Sequence, residues 1–191
     1  MFAKMDSPKK TDPLLLTPRL QLRPPRDVDT TEVFHCYASD PDVTRYVGWP
    51  RHRDIDDTRA FITFAKAEWQ RWPAGPLLIE SREDGRLLGS TGLAFETADI
   101  ASTGYVLAKA AWGKGYAQEA LSAVVAMADR LGVQYLYALC HADHAVSAHL
   151  LERCGFELEA LLRDGISFPN LEDGTPQDVR RYSRMRGGVG R

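Results

Sequence analysis

Two glycines in the order G-x-G, Gly113 and Gly115, precede a segment with helical periodicity, and this junction constrains the fold more than any other stretch. Glycine reaches backbone conformations closed to other residues and lets a ligand approach the main-chain N–H groups. From Ala117 to Leu131 apolar residues recur at helical spacing, and Gly132 follows as a C-terminal stop. Because a helix start attracts anions, this segment and the strand-like residues 103–108 predict a strand, turn and helix unit that holds a pyrophosphate.

Two common nucleotide-binding motifs do not fit this junction. The dinucleotide fingerprint requires Gly or Ala where Gln118 stands, and the Walker motif requires Ser or Thr after Gly-Lys, where Lys114 is followed by Gly115. Taken alone, the stretch is also compatible with a glycine turn that caps an ordinary core helix.

The wider sequence carries a family resemblance. Residues 105–107 and 112–120 read Y-V-L and W-G-K-G-Y-A-Q-E-A, which resembles the acetyl-CoA pyrophosphate loop of the GNAT superfamily of N-acetyltransferases. More narrowly, the run is similar to the branch of the ribosomal-protein N-terminal acetyltransferases (RimJ/RimL-like), which carries W-G-K-G-Y/I-A-T-E-A. Further segments agree in order and spacing: L-T-P-R-L-Q-L-R-P at 16–24, Ser147 through Gly155-Phe156, and Asp178 with Tyr182. The resemblance spans residues 14–185 and is specific for fold and donor, but silent on the acceptor.

The resemblance implies that acetyl-CoA is the co-substrate and indicates how it is held. The strand Gly104–Ala108 would hydrogen-bond the pantetheine arm as a neighbouring strand does, and the N–H groups of Gly113–Gln118 would hold the pyrophosphate. The residues expected to bind the cofactor are Tyr105, Val106, Leu107, Ala108, Trp112, Gly113, Lys114, Gly115, Tyr116, Ala117, Gln118, His144 and Ser147.

The residues expected to move protons depart from the family pattern. Leu151 stands where the superfamily often has a tyrosine acid, and His144 stands where the branch often has asparagine. Ser147 matches the branch and is a candidate donor to the CoA sulfur, although a serine at a helix start also bonds the backbone. The unperturbed pKa of a histidine side chain, about 6.5, suits proton transfer near neutral pH, so His144 and His141 are candidates for this role, or they are polar loop residues. The predicted catalytic residues are Ser147 and His144.

Composition limits the partners. The 24 Lys and Arg residues are balanced by 26 Asp and Glu residues, so nothing in the overall charge favours nucleic acid or an anionic membrane. No apolar run approaches the roughly 20 residues of a membrane helix. Three cysteines without a signal-peptide pattern favour reduced thiols in a cytoplasmic protein. The expected partners are acetyl-CoA and an amine acceptor, and the chain is expected to be a monomer or homodimer.

A group of possible metal ligands lies late in the chain. Structural zinc sites use paired ligands at spacings such as C-x₂₋₄-C or H-x₃₋₅-H, and neither the cysteines nor His141 and His144 follow them. No metal is therefore expected. The residues considered are Cys140, His141, His144, His149 and Cys154.

The pattern of apolar residues and turn formers predicts an α+β fold. We expect a single GNAT-type domain over residues 13–186, with a flexible extension at 1–12 and a flexible tail at 187–191. Its sheet should be mixed and mostly antiparallel, with about seven strands and about four flanking helices. Strands are expected at 14–23, 77–81, 86–95, 100–108, 133–140, 156–163 and 179–185, helices around 33–37, 54–72, 117–131 and 146–154, and a loop at 165–174.

These inferences favour an acetyl-CoA-dependent N-acetyltransferase in which a primary amine attacks the thioester directly. The acceptor would be a protein N-terminus or a small mono-amine. The alternative is a non-catalytic acyl-CoA-binding or partner-binding module of the same fold. The expected acceptor rim, Trp49–Arg53, Phe61–Trp72 and Phe168–Asn170, offers few carboxylates, which disfavours polyamines and aminoglycosides. For Phe61, Ile62 and Trp69, however, the helical spacing favours an aromatic face that packs on the sheet over one that contacts the acceptor.

Overall fold

A single mixed sheet of eight strands organises the described residues, 14–171 and 175–187, in a computed structural model of the chain. The predicted extension, residues 1–12, and all but the first residue of the predicted tail, 187–191, lie outside them. The strands are β1 (Leu15–Leu16), β2 (Leu20–Arg23), β3 (Pro76–Ser81), β4 (Leu87–Phe95), β5 (Ile100–Leu107), β6 (Tyr135–His141), β7 (Glu157–Ser167) and β8 (Pro176–Met185). The helices are α1 (Thr30–Val33), which continues into a π-helical turn (Phe34–Ala38), α2 (Ile55–Arg71), α3 (Tyr116–Leu131) and α4 (Ala145–Arg153).

The strand order confirms the predicted α+β class with a mixed, mostly antiparallel sheet. Across the sheet the order is β1-β2-β3-β4-β5-β6-β8-β7, and of the neighbouring pairs that the structure describes only β5 and β6 are parallel. The strand expected at 14–23 is a hairpin, because the Thr17 N–H donates to the Leu20 carbonyl and closes a turn between β1 and β2. This hairpin accounts for the additional strand.

Helices cover both faces of the sheet, which form two hydrophobic cores. Successive side chains of β5 point alternately into one core and the other. Leu107 packs with Leu121 of α3 and Leu151 of α4 in one cluster. Val106 packs with Val33 of α1 in a second cluster on the opposite face. The glycine turn, α3 and α4 therefore lie on one face of the sheet and α1 lies on the other. None of the helices in the described part of the chain is long and apolar enough to cross a membrane.

The long connection expected at 165–174 is shorter in the structure. Strand β7 continues to Ser167 and β8 begins at Pro176. The register between the two strands shifts between Leu162 and Ile166, and Asp164 within that step has a positive φ of 46°. Turn-forming residues also occur at β-bulges. The sequence pattern at Asp164-Gly165 thus marks a bulge inside a strand, and the prediction that the loop begins there was wrong.

Candidate active site

A gap opens between β5 and β6. Their parallel pairing, as far as the structure describes it, joins only Ile100–Ser102 to Tyr135–Tyr137, although β5 runs on to Leu107 and β6 to His141. On its other side β5 remains paired with β4 as far as the Gly89–Leu107 pair. The second half of β5 therefore borders the gap with one edge, and main-chain groups at such an edge can pair with an extended ligand.

The glycine turn lies between the end of β5 and the start of α3. Gly113 and Gly115 have φ values of 72° and 78°, in the left-handed region that glycine tolerates best. Gly115 is the N-cap residue of α3 and, as a glycine, has no side chain that could bond to the N–H groups of the first turn. The N–H groups of the first turn of α3 are therefore available to an anion, as the G-x-G spacing predicts.

A carboxylate from α3 fixes this turn to the β1–β2 hairpin. Oε1 of Glu119 accepts from the Thr17 hydroxyl (2.5 Å) and the Arg19 N–H (2.8 Å), and Oε2 accepts from Arg19 Nε (2.6 Å). The Arg19 guanidinium also donates to the Lys114 carbonyl (2.9 Å) and lies over the Tyr116 ring. Sequence reasoning missed this role of Thr17, Arg19 and Glu119, although all three lie in the segments that carry the family resemblance.

The negative charge of Glu119 strengthens its hydrogen bonds to Thr17 and Arg19, which together we call the Glu119 brace. Burial raises the pKa of Glu119, but hydrogen bonds from Thr17 and Arg19 outweigh burial and bring the pKa below its ordinary value. The carboxylate is therefore ionised at neutral pH, and it accepts charge-assisted bonds from Arg19.

We expect Glu119→Gln to raise the Kd for acetyl-CoA by about three- to tenfold. The neutral amide weakens the hydrogen bonds that hold the glycine turn, by roughly 1 kcal/mol. Isothermal calorimetry on both proteins measures the change. The matched control is Glu157→Gln on the exposed edge strand β7, which should bind as the parent does. Equal affinities for Glu119→Gln and the parent would show that the brace does not support the turn.

Some of the residues that were predicted to bind the cofactor, next to the glycine turn, are hydrogen-bonded to each other. The Trp112 indole N–H donates to the Leu107 carbonyl (2.7 Å), which closes the corner between β5 and the turn. Ala108 lies beyond β5, and its N–H donates to the Leu88 carbonyl. This donor of Ala108 is therefore already used within the sheet.

A cleft of about 250 Å³ lies between α3 and α4. It is lined by Gln118, which was predicted to bind the cofactor, and by Val146, His149, Leu150 and Arg153 of α4. Sequence reasoning did not assign Arg153 to the cofactor. Its position brings a cationic side chain to the same cleft as the start of α3.

Two hydroxyl groups come together beside the gap. Burial raises the pKa of Tyr105, and its hydrogen bond with Ser147 acts in the opposite direction. Ser147 is 9% exposed and lies in the first turn of α4, where its N–H donates to the His144 carbonyl. Leu151, one turn later, is buried in the core. The Tyr105 hydroxyl was not foreseen, because only main-chain contacts were expected of this residue.

An aromatic cluster lies at the end of β6. The Tyr46 ring is 4.9 Å from the rings of both His141 and His144, centroid to centroid, and Phe168 meets His141 edge-on at 5.1 Å. Burial and the neighbouring His141 lower the pKa of His144, so the His144 imidazole is neutral at pH 7. Because Cys140 packs into the core with α3 and α4, the adjacent His141 points to the opposite face.

Asn170 ties two connections together over this cluster. Its amide Nδ2 donates to the carbonyls of Thr44 (2.8 Å) and Trp49 (2.9 Å), and its Oδ1 accepts from the Arg51 N–H (2.7 Å). The connection between β7 and β8 is thereby held against the connection between α1 and α2.

The predicted acceptor rim is only partly assembled. Trp49 lies 5.2 Å from the ring of His52, which in turn lies 6.4 Å from Phe61. Trp69 donates to the Pro76 carbonyl and Trp72 stacks on Phe95, so both pack against the core. The expected rim therefore does not extend along α2 to Trp72, and Trp69 packs on the sheet as the helical spacing favours. The carboxylates of Asp54, Asp56 and Asp57 at the start of α2 are exposed.

The possible metal ligands of the late segment do not converge. In the part of the chain that the structure describes, no three His, Cys, Asp or Glu side chains are grouped as metal ligands. Cys154, for example, lies 3.8 Å from the Ser122 hydroxyl on α3.

Comparison with known proteins places these features in a family. A sequence profile described as an acetyltransferase (GNAT) domain matches residues 19–157. The uncharacterized N-acetyltransferase YoaA of Bacillus subtilis is 32% identical over 177 residues, which cover 91% of this chain and 97% of the relative. An acetyltransferase structure from Agrobacterium tumefaciens has 27% identity and a TM-score of 0.72, covering 91% of this chain and 95% of that one. The fold also matches RimL, a ribosomal L7/L12 alpha-N-protein acetyltransferase solved with coenzyme A, with 20% identity, a TM-score of 0.79 and coverage of 88% and 95%.

Proposed function

This chain belongs to the GNAT family of acetyltransferases, and on that basis we propose that it transfers the acetyl group of acetyl-CoA to a primary amine by direct attack on the thioester. One observation carries the proposal. The gap between β5 and β6 has the glycine turn, α3 and α4 on one face and the His141–His144 cluster on the other. A donor and an acceptor that enter from opposite faces meet in this gap.

The donor would be held mainly by the backbone. The pyrophosphate would accept from the N–H groups of Gly113–Gln118, where the glycines and the start of α3 present donors without side-chain obstruction. The pantetheine arm would pair with β5 from Gly104 to Leu107. Arg153 would offer its charge to a phosphate from the cleft between α3 and α4. The solved RimL relative, which shares this fold, contains coenzyme A.

The proposed reaction uses two sets of proton carriers. The neutral His144 imidazole would take a proton from the acceptor amine as its nitrogen bonds to the thioester carbon. The C–S bond then breaks, and the leaving thiolate would take a proton from Ser147 or Tyr105, whose side chains are neighbours beside the gap. Solvent restores both groups. An α-amino group titrates near 8, so a substantial share of such an acceptor is already neutral at pH 7 to 8.

We expect Ser147→Ala to lower kcat by about 100-fold or less, because general acid catalysis contributes about 10²–10⁴-fold and this residue should lie at or below the lower end. The effect is limited because the Tyr105 hydroxyl or a water molecule can supply the proton instead. Steady-state thiol release measures kcat, and Ser183→Ala on β8 is the matched control. The double variant Ser147→Ala/Tyr105→Phe should lose more activity than either single variant. A kcat for Ser147→Ala equal to that of the parent would remove Ser147 from the mechanism.

The acceptor is proposed to be a mono-amine, either a protein N-terminus or a small molecule. The groups brought together around His141 and His144 are aromatic, and the acidic residues at the start of α2 are exposed. A polycation would need carboxylates to pair its buried charges. A competition among a short peptide, an aromatic amino acid, spermidine and an aminoglycoside, each at equal concentration, tests this through the acetylated products. Preference for spermidine or the aminoglycoside would overturn the proposed acceptor class.

A further inference from the structure

The side chains of α4 that line the cleft between α3 and α4 form two strips of different chemistry. Residues four apart on a helix lie on one face, one turn from each other. Val146 and Leu150 therefore make an apolar strip, and His149 and Arg153 make a basic strip beside it. The Val146 side chain is 72% exposed, so it is open to a ligand in the cleft.

The protein does not use the basic strip for contacts of its own. Neither the His149 nor the Arg153 side chain forms an ion pair or a hydrogen bond with another described residue. Arginine is always charged, and a histidine ring donates at least one N–H in either protonation state. The carboxylate of Glu152 accepts from the Tyr182 hydroxyl at 3.0 Å, and none of the described residues that line the cleft is acidic. The cleft therefore offers donors to an anion without a carboxylate that would repel it.

This cleft adjoins the proposed pyrophosphate site, because Gln118 belongs to both. Gly115, the N-cap residue of α3, lies three residues before Gln118, about 4.5 Å along the helix axis. The cleft measures about 250 Å³, whereas pockets that hold a whole small ligand measure roughly 300–1,000 Å³. It therefore fits one part of a larger ligand whose next group lies at the start of α3.

We propose that the cleft binds the adenosine 3′-phosphate end of the donor, with the adenine on the apolar strip and the 3′-phosphate accepting from His149 and Arg153. This inference rests on the proposed acetyl-CoA site and deepens it, because it assigns the phosphate that Arg153 contacts. One ribose ring separates the pyrophosphate from the 3′-phosphate in CoA, so their binding sites must be neighbours. His149 and Arg153 are thus assigned as the residues that select CoA over 3′-dephospho-CoA.

The test compares CoA with 3′-dephospho-CoA, which differ only in this phosphate, by calorimetric titration. The parent should bind CoA about tenfold more tightly, a modest ratio because each exposed charge contact contributes little. Arg153→Gln should lower the ratio to about threefold, and the double variant Arg153→Gln/His149→Gln should bring it near one. Both variants should bind 3′-dephospho-CoA as tightly as the parent does, which also shows that they are folded.

Arg130→Gln is the matched control for net charge. Arg130 is an exposed arginine near the end of α3 that does not line this cleft, so its replacement should leave the ratio unchanged. Val146→Ser tests the adenine and should weaken both ligands by the same factor, about two- to threefold, because both contain the base. Parent affinities in Val146→Ser would exclude the adenine from the apolar strip.

Equal affinities of the parent for CoA and 3′-dephospho-CoA would overturn this inference while leaving acetyl transfer intact. A preference for CoA that survives both substitutions would overturn it as well. So would a loss in Arg153→Gln that is the same for both ligands, because that result would place the arginine at the pyrophosphate. Failure of the parent to bind CoA would instead overturn the proposed donor site, and this inference with it.

Discussion

Replacing Gly115 with valine is expected to raise the Kd for acetyl-CoA by about 100-fold or more, since two lost phosphate bonds at ~1.5–3 kcal/mol each suffice. Gly115 has a φ of 78°, which a β-branched residue adopts only with strain. A Cβ there would also stand at the start of α3, 3.4 Å from the Arg19 guanidinium. The side chain would therefore block the approach of the pyrophosphate to the N–H groups. Calorimetric titration with acetyl-CoA measures the loss.

Gly85→Val provides the matched control for backbone strain. Gly85 has a similar φ of 71°, and a Cβ at this position would meet no atom within 4 Å. It lies before β4, away from the glycine turn. The two variants should therefore lose comparable stability, but Gly85→Val should bind acetyl-CoA as tightly as the parent. If Gly115→Val also bound with the parent affinity, the placement of the donor site would be wrong.

The second large effect is expected for His144→Ala, with kcat/KM for the amine falling about 10²-fold near pH 7. The alanine cannot accept the amine proton, while acetyl-CoA should still bind through the backbone of the glycine turn. Steady-state kinetics with a saturating donor measures the loss, and added imidazole should restore part of the rate. His35→Ala at an exposed position is the control. Parent rates for His144→Ala at every pH would contradict its role as a base.

The pH profile separates a base from a structural residue. The neutral form of His144 is the active one, so the rate falls as the pH decreases through its pKa. Burial and His141 lower this pKa below the ordinary 6.5, and the protein therefore retains the base form throughout the neutral range. The parent should lose activity on an acidic limb centred below pH 6.5, beyond the loss from protonation of the amine. That limb should be missing in His144→Ala.

The parts of the fold that the sequence predicted depend on local patterns. Helix α3 follows from the periodicity of Ala117–Leu131, and its ends follow from two glycines whose left-handed conformations the structure confirms, Gly115 and Gly132. Helix α2 follows in the same way, because Asp54 accepts from the N–H groups of Asp56 and Asp57 and so caps its first turn. Short-range hydrogen bonds and spacing determine these features, so one sequence is sufficient to find them.

The parts that were missed depend on contacts between distant segments. Glu119 lies about 100 residues from Arg19, and Asn170 lies well over 100 residues from the backbone groups that it holds. No periodicity encodes either contact. The packing of His141 also depends on the three-dimensional arrangement, because Tyr46 and Phe168 approach its ring from separate connections. The family pattern and the ordinary pKa of histidine identified His141 and His144 as residues with suitable chemistry, but not their shared contact with Tyr46.

The central claim is that acetyl-CoA and the amine acceptor meet in the gap between β5 and β6, where one acetyl group passes from acetyl-CoA to the amine. It is tested most directly by incubating the parent with acetyl-CoA labelled in the acetyl group and with the panel of amines, then measuring free CoA and labelled product together. We predict one labelled acetyl group on the amine for each CoA thiol released, and loss of both in Gly115→Val. Tight binding of acetyl-CoA by the parent with no labelled product from any amine would contradict the account.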